Sequence, residues 1–110
     1  MNWIPLTESA QLDDAVILSY TKPVAIYKHS TRCSVSVMVK KGLERDWNIP
    51  ESEIPAYYLD LIAYRSLSDS IAEIFDVRHE SPQLILIKDG NAIYHASHSE
   101  IDIDAMLISK

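Results

Sequence analysis

Cysteine is nearly absent from this chain: Cys33 is the only one in 110 residues. No internal disulfide can form, so a secreted scaffold held by its own cross-links is excluded, and a thiol left free is better kept in a reducing compartment. Cations are also scarce, ten lysines and arginines against sixteen acidic residues, and the formal charge of −6 would repel a phosphate backbone unless the basic groups were clustered. Nucleic acid is not an expected partner. No uninterrupted apolar run approaches the ~20 residues of a membrane span, and Met1-Asn2-Trp3-Ile4-Pro5 lacks the cationic and then apolar pattern of an export signal. A cytoplasmic protein with no membrane association is the expectation. Internal repeats and low-complexity tracts are missing too. What is present is enough apolar material, 47% of the residues, for one compact core, and too little length for two, so residues 1–110 read as one domain.

Periodicity places the elements. Thr7 is a plausible N-cap for a helix to about Ser19, with Leu12, Ala15, Val16 and Ser19 spaced as one buried stripe, and Lys22-Pro23 ends it. Val24-Ala25-Ile26-Tyr27 has the character of a buried central strand. After Cys33, the residues Val35, Met38, Val39 and Leu43 fall at helical intervals, and this helix should run to about Asp46 despite Gly42. Pro50 and Pro55 force a loop, and Ala56 to Ile62 supplies another strand. Ser66 with Asp69 has the form of a capping box, followed by Leu67, Ile71, Ile74 and Phe75 in a helix ending near Val77. Leu84-Ile85-Leu86-Ile87 and Ala92-Ile93-Tyr94-His95 flank Asp89-Gly90, a pair suited to the positive φ angles of a tight hairpin. Ser99 with Asp102 makes another capping box, opening a last helix that buries Ile103, Met106 and Leu107.

The resulting order, α-β-α-β-α-β-β-α, is what an α/β thioredoxin-like fold would show, with a central mixed four-stranded sheet flanked by helices. Cys33 then stands where a strand hands over to a helix, a position that favours a reactive thiol over a packed one. The residue three further on, where a dithiol oxidoreductase carries its second sulfur, is Ser36. Any disulfide formed at Cys33 must be made with another molecule. In such a fold a proline lies beside the active cysteine, and Ser81-Pro82 falls in the corresponding loop. Pro82 is expected to be cis, with Ser81 docking a bound thiol compound through its main-chain groups.

The run Lys28-His29-Ser30-Thr31-Arg32-Cys33 with Ser36, then Ser81-Pro82-Gln83 and Lys88-Asp89-Gly90, resembles the bacillithiol-system monothiol bacilliredoxins, also called YtxJ-like proteins, over nearly the whole chain. Members usually carry proline directly after the cysteine, where this chain has Ser34. The resemblance implies a thiol–disulfide oxidoreductase that removes bacillithiol from mixed disulfides on client proteins. Cys33 would be its nucleophile. No tightly bound cofactor is implied, with bacillithiol as co-substrate and a low-molecular-weight thiol or a dithiol reductase partner resetting the protein. Thiols at helix N-termini gain from the macrodipole, which can bring such groups from ~8.5 into the range ~3.5 to 7.5. Arg32, with Lys28 and His29 upstream, would favour the thiolate, and Ser36 could donate a hydrogen bond to it. Thr31, Ser34, Ser81, Pro82 and Ser99 are the expected substrate contacts.

Each residue also has a plainer role. Lys28 and Arg32 could be ordinary solvated charges or attract the malate carboxylates of bacillithiol, and His29 could serve packing or protonate a leaving thiolate. His79 and Glu80 border the docking loop, where a turn is natural for both. A structural zinc site has no ligand set, since one cysteine and four scattered histidines do not make one. Two other functions stay open: a non-catalytic binding module using the groove beside Pro82, and an iron–sulfur carrier, although the Cys-Gly-Phe-Ser run of the monothiol glutaredoxins that do this is missing.

Overall fold

A computed structural model describes residues 1–110. The chain forms β1 (Trp3–Pro5), α1 (Ser9–Leu18), β2 (Val24–His29), α2 (Ser34–Asp46), β3 (Ala56–Asp60), α3 (Arg65–Phe75), β4 (Gln83–Lys88), β5 (Asn91–Ser97), a short 3-10 turn at His98–Glu100, and α4 (Ile103–Ser109). The sheet is mixed, in the order β1-β3-β2-β4-β5. β3 runs parallel to both β1 and β2, whereas β4 pairs antiparallel with β2 and β5. Five strands stand where the sequence suggested four. The extra one, β1, is three residues long and ends at Pro5, too short and too proline-marked to show an alternating pattern, and it lies at the sheet edge where proline is tolerated.

β2 is the centre of the molecule, and all six of its residues are buried. Alternation splits it between two cores. Val24 and Ile26 join Ile71 and Phe75 of α3, Leu12 and Ala15 of α1, and Ile85 and Ile87 of β4. Ala25 and Tyr27 join Leu43 and Trp47 beside α2, Met106 of α4, and Leu84 and Leu86. Each such fully buried aliphatic side chain contributes about 1.5–3 kcal/mol relative to exposure. The hairpin is as the sequence indicated, with φ of 52° at Asp89 and 76° at Gly90.

Helix boundaries differ from the sequence reading in instructive ways. Thr7 is not the N-cap of α1; Glu8 is, and the Gln11 side chain reaches back to accept from the Thr7 and Glu8 amides at 2.6 and 3.0 Å. Ser66 lies inside α3, whose N-cap is Tyr64, so no Ser66–Asp69 box forms. β3 stops at Asp60 because the Asp60 carboxylate turns the chain, accepting from the Ile62 amide at 3.1 Å. Asp102 rather than Ser99 caps α4, accepting from the Asp104 and Ala105 amides. On α2 the buried positions are Ser36 and Leu43, while Val35 and Met38 face outward, 44% and 71% exposed. A small hydroxyl residue has taken the place that apolar periodicity assigned to its neighbours.

Candidate active site

Pairing fixes which parts of the chain meet. Lys28 of β2 lies opposite Gln83 of β4, and Gln83 lies opposite Ser97 of β5. The turn leaving β2 toward Cys33, the loop entering β4 and the exit of β5 therefore share one end of the sheet. The Ser81–Pro82 bond in that loop is cis. The Pro82 carbonyl accepts from the His98 amide at 3.0 Å, the Gln83 side chain donates to the Arg78 carbonyl at 3.0 Å, and the Ser97 hydroxyl donates to the Glu80 carboxylate. That last bond holds Glu80 below the usual carboxylate range. His98 takes a left-handed φ of 54° to make its contact. The Ser81 hydroxyl is buried with no partner.

Cys33 is the N-cap residue of α2, partly exposed and in extended conformation. Its amide donates to the Ser30 carbonyl at 3.2 Å, and its carbonyl accepts from Val37 at 3.1 Å. Two further bonds hold this turn from below. The Ser36 hydroxyl accepts from the Ser30 amide at 3.0 Å, and the Tyr27 hydroxyl donates to the Ser36 carbonyl at 2.8 Å. Tyr27 is fully buried, which pushes its phenol up to about 12, so it stays a neutral donor. Thr31, Arg32 and Ser34 are exposed around the thiol, and Val35 and Met38 extend this surface with apolar side chains on the outer face of α2.

Three expected roles change on this geometry. Ser36 is a buried staple of the turn, with its hydroxyl bonded to Ser30 rather than to the sulfur. His29 is buried against Tyr27 and Tyr58, with ring centroids 5.9 and 5.5 Å away, and its Nδ1 is unpaired. Burial and then the nearby Lys40 ammonium push its imidazole below the ordinary value. Lys28 is not beside the thiol at all. It leaves β2 on the face opposite the one that α2 covers, is fully buried, and donates to the Ser68 carbonyl at 3.1 Å, with His79 Nδ1 at 3.3 Å. Burial lowers it to about 8, against the pull of Asp69. Strand alternation contained this signal, since Lys28 follows Tyr27 in a strand buried on both faces.

Ser99 lies in the turn after β5 and lines an open groove between α2 and α4, with Val39, Gly42, Asp46 and Glu100. This groove meets the second half of α2, not its first turn, so Ser99 is not gathered with Cys33. No three His, Cys, Asp or Glu side chains converge to hold a metal ion. No helix is long and apolar enough to cross a membrane.

A mixed sheet with this order, a single thiol at the start of α2 and a cis-proline loop at the same sheet end define a thioredoxin-fold thiol–disulfide oxidoreductase with one cysteine. Solved structures agree on the fold. A protein described as a candidate oxidoreductase with a thioredoxin fold is 27% identical, with a TM-score of 0.82 over 97% of this chain and 92% of its own. A thioredoxin of Malassezia sympodialis, Mala s 13, is 14% identical, with a TM-score of 0.75 over 99% and 87%. A mutant thioredoxin from Halobacterium salinarum is 19% identical, with a TM-score of 0.70 over 96% and 84%. The model of the family described as monothiol bacilliredoxin BrxC matches residues 4–106, and the chain belongs to that family.

Proposed function

We propose that the protein removes bacillithiol from mixed disulfides on client proteins, in the cytoplasm, with Cys33 as the nucleophile. The observation that carries this reading is a solitary, partly exposed thiol at the N-cap of α2, at the sheet end that holds the cis-proline loop, with a buried serine where a second sulfur would stand. The Cys33 thiolate attacks the bacillithiol sulfur. The client–bacillithiol S–S bond breaks, the client leaves as a thiolate that takes up a proton, and a Cys33–bacillithiol disulfide forms. A second low-molecular-weight thiol, or a cysteine of a dithiol reductase, then attacks this disulfide and restores Cys33.

Local structure supports both halves. The first turn of α2 offers free backbone amides to a negative sulfur, and Arg32 adds a cation on the exposed side. Ser36 uses its oxygen as an acceptor from the Ser30 amide and so holds the turn that carries Cys33. The Ser81 main chain, beside cis Pro82, is the proposed docking edge for an extended client segment, and the exposed Val35 and Met38 support apolar contact with it. Thr31 and Ser34 provide hydroxyls at the rim, and Arg32 suits the carboxylates of bacillithiol.

Intact-mass spectrometry tests the assignment. Reduced wild type mixed with a bacillithiolated client should gain one bacillithiol as the client is freed, and Cys33→Ser should gain none. If wild type gains nothing while free thiols exchange normally, the groove beside Pro82 is a binding surface and the protein is not an exchange enzyme. Preference for a glutathionylated client would move the substrate to glutathione.

A further inference from the structure

A lysine with no exposed surface is unusual, and Lys28 has none. Burying an ammonium costs stability even when it is hydrogen-bonded, and an apolar residue of similar size at such a site commonly makes a more stable protein. The neighbours of Lys28 on its sheet face are the aliphatic core of α1 and α3, so packing alone does not call for a charge. What the charge does is specific. Its Nζ donates to the Ser68 carbonyl of α3 at 3.1 Å and faces His79 Nδ1 at 3.3 Å, and the Ser68 hydroxyl sits 3.2 Å from the same nitrogen. His79 stands three residues before the cis proline, in the loop that enters β4 at the same sheet end at which β2 leads to Cys33.

An ammonium has only protons to give, so the nitrogen facing it must be the acceptor. His79 is thereby held with Nδ1 unprotonated and the proton on Nε2. Nε2 makes no bond within the protein and is not enclosed by it, since it is neither paired nor among the buried unpaired atoms. The ring is partly exposed. Burial first, and Lys28 second, keep the imidazole below its ordinary value and neutral at physiological pH, with Arg65 acting in the same direction and Asp69 and Glu80 opposing. Asp69 is the charged residue on α3 that acts on Lys28 itself.

We propose that Lys28 is a positioning residue for the docking loop: it fixes the His79 tautomer so that Nε2–H is offered, uncharged, to an acceptor oxygen on the bound disulfide substrate. This deepens the exchange function proposed above and rests on it for the identity of that substrate. The buried charge is retained because it orients a group at the site, a role that no apolar residue at position 28 could fill.

Long-range proton–nitrogen NMR on the protein alone reads the tautomer. Wild type should show His79 protonated at Nε2, and in Lys28→Met, which removes the donor at similar volume, the His79 titration midpoint should move up and the tautomer preference should relax. His79 protonated at Nδ1 in wild type, or a midpoint unmoved by Lys28→Met, overturns the proposal. In steady-state exchange with a bacillithiolated client and, separately, with symmetric bacillithiol disulfide, Lys28→Met should raise KM about fivefold, the scale of one lost hydrogen bond, with kcat far less affected. A rise for the client alone puts the acceptor oxygen on the client, a rise for both puts it on the small thiol, and no rise in either overturns the proposal. His79→Gln guards against misfolding of the lysine variant, and its KM effect should not add to that of Lys28→Met. If no bacillithiol substrate reacts with any of the proteins, the functional reading falls, while the tautomer still decides the role of Lys28.

Discussion

Tyr27 and Lys28 are adjacent on the central strand, both fully buried, and they point to opposite faces of the sheet. On the α2 face, the ground beneath the thiol is aromatic and uncharged: Tyr27, His29 and Tyr58 pack together, and a phenol supports the first turn of the helix. On the α3 face, the same end of the sheet holds a buried cation joined to a histidine of the cis-proline loop. The turn that carries Cys33 thus rests on neutral hydrogen bonds, while the buried charge lies on the opposite face. A fixed cation beneath a sulfur favours the thiolate yet weakens it as a nucleophile; here the cation nearest in sequence, Arg32, is exposed at the rim instead.

Exchanging the neighbours' chemistry should break this contrast with opposite signs. The largest expected effect is at Lys28. Its folded value of about 8 lies below the unfolded 10.5, so the unfolded chain binds more protons between these limits and stability rises with pH across that window, by roughly 3 kcal/mol if nothing else titrates. Lys28→Met should remove the rise and make the protein about 1–3 kcal/mol more stable at pH 7, as read by urea unfolding at pH 7, 8, 9 and 10. The window closes near 10, where Tyr27, Tyr57, Tyr58 and Tyr94, all raised by burial, begin to favour the unfolded phenolate. Tyr27→Phe should act the other way, costing about 1–2 kcal/mol because the Ser36 carbonyl loses its donor, with loosened turn amides visible by hydrogen exchange. A flat response to Lys28→Met or a neutral Tyr27→Phe would erase the distinction between the faces.

The smallest effect tests where charge counts for little. Lys40 lies 5.3 Å from the Tyr58 ring and 5.7 Å from that of Trp3, and it pairs with Glu44 at 2.9 Å on the outside of the same aromatic group. Lys40→Gln should cost no more than about 1 kcal/mol, shrinking further in high salt. A larger loss would mean that the α2 face depends on charge after all.

Much of this was legible in the chain. The continuous apolar run of β2, the Asp89-Gly90 hairpin and the extent of α2 followed from local chemistry, and the cis Pro82 from the fold that the element order implied. What escaped was non-local. Helix caps went to residues chosen by the path of the incoming chain, so Glu8 and Asp102 prevailed over Thr7 and Ser99. The position of Ser36 inside α2 depends on Ser30 folding back over it, which spacing does not reveal. The three positively chargeable residues upstream of Cys33 looked alike as sequence, and only the sheet separates exposed Arg32 from His29 and Lys28, buried on opposite faces.

The staple at Ser36 also bears on descent. A dithiol relative could arise from this chain by one codon change to cysteine at position 36, but that change would put a poor acceptor under the Ser30 amide and a larger atom into a site with no exposed surface. The intermediate would carry its new sulfur on a weakened turn before any internal bridge repaid the loss. The barrier between one-cysteine and two-cysteine chemistry at this turn therefore lies in a serine that holds the loop rather than in the sulfur itself.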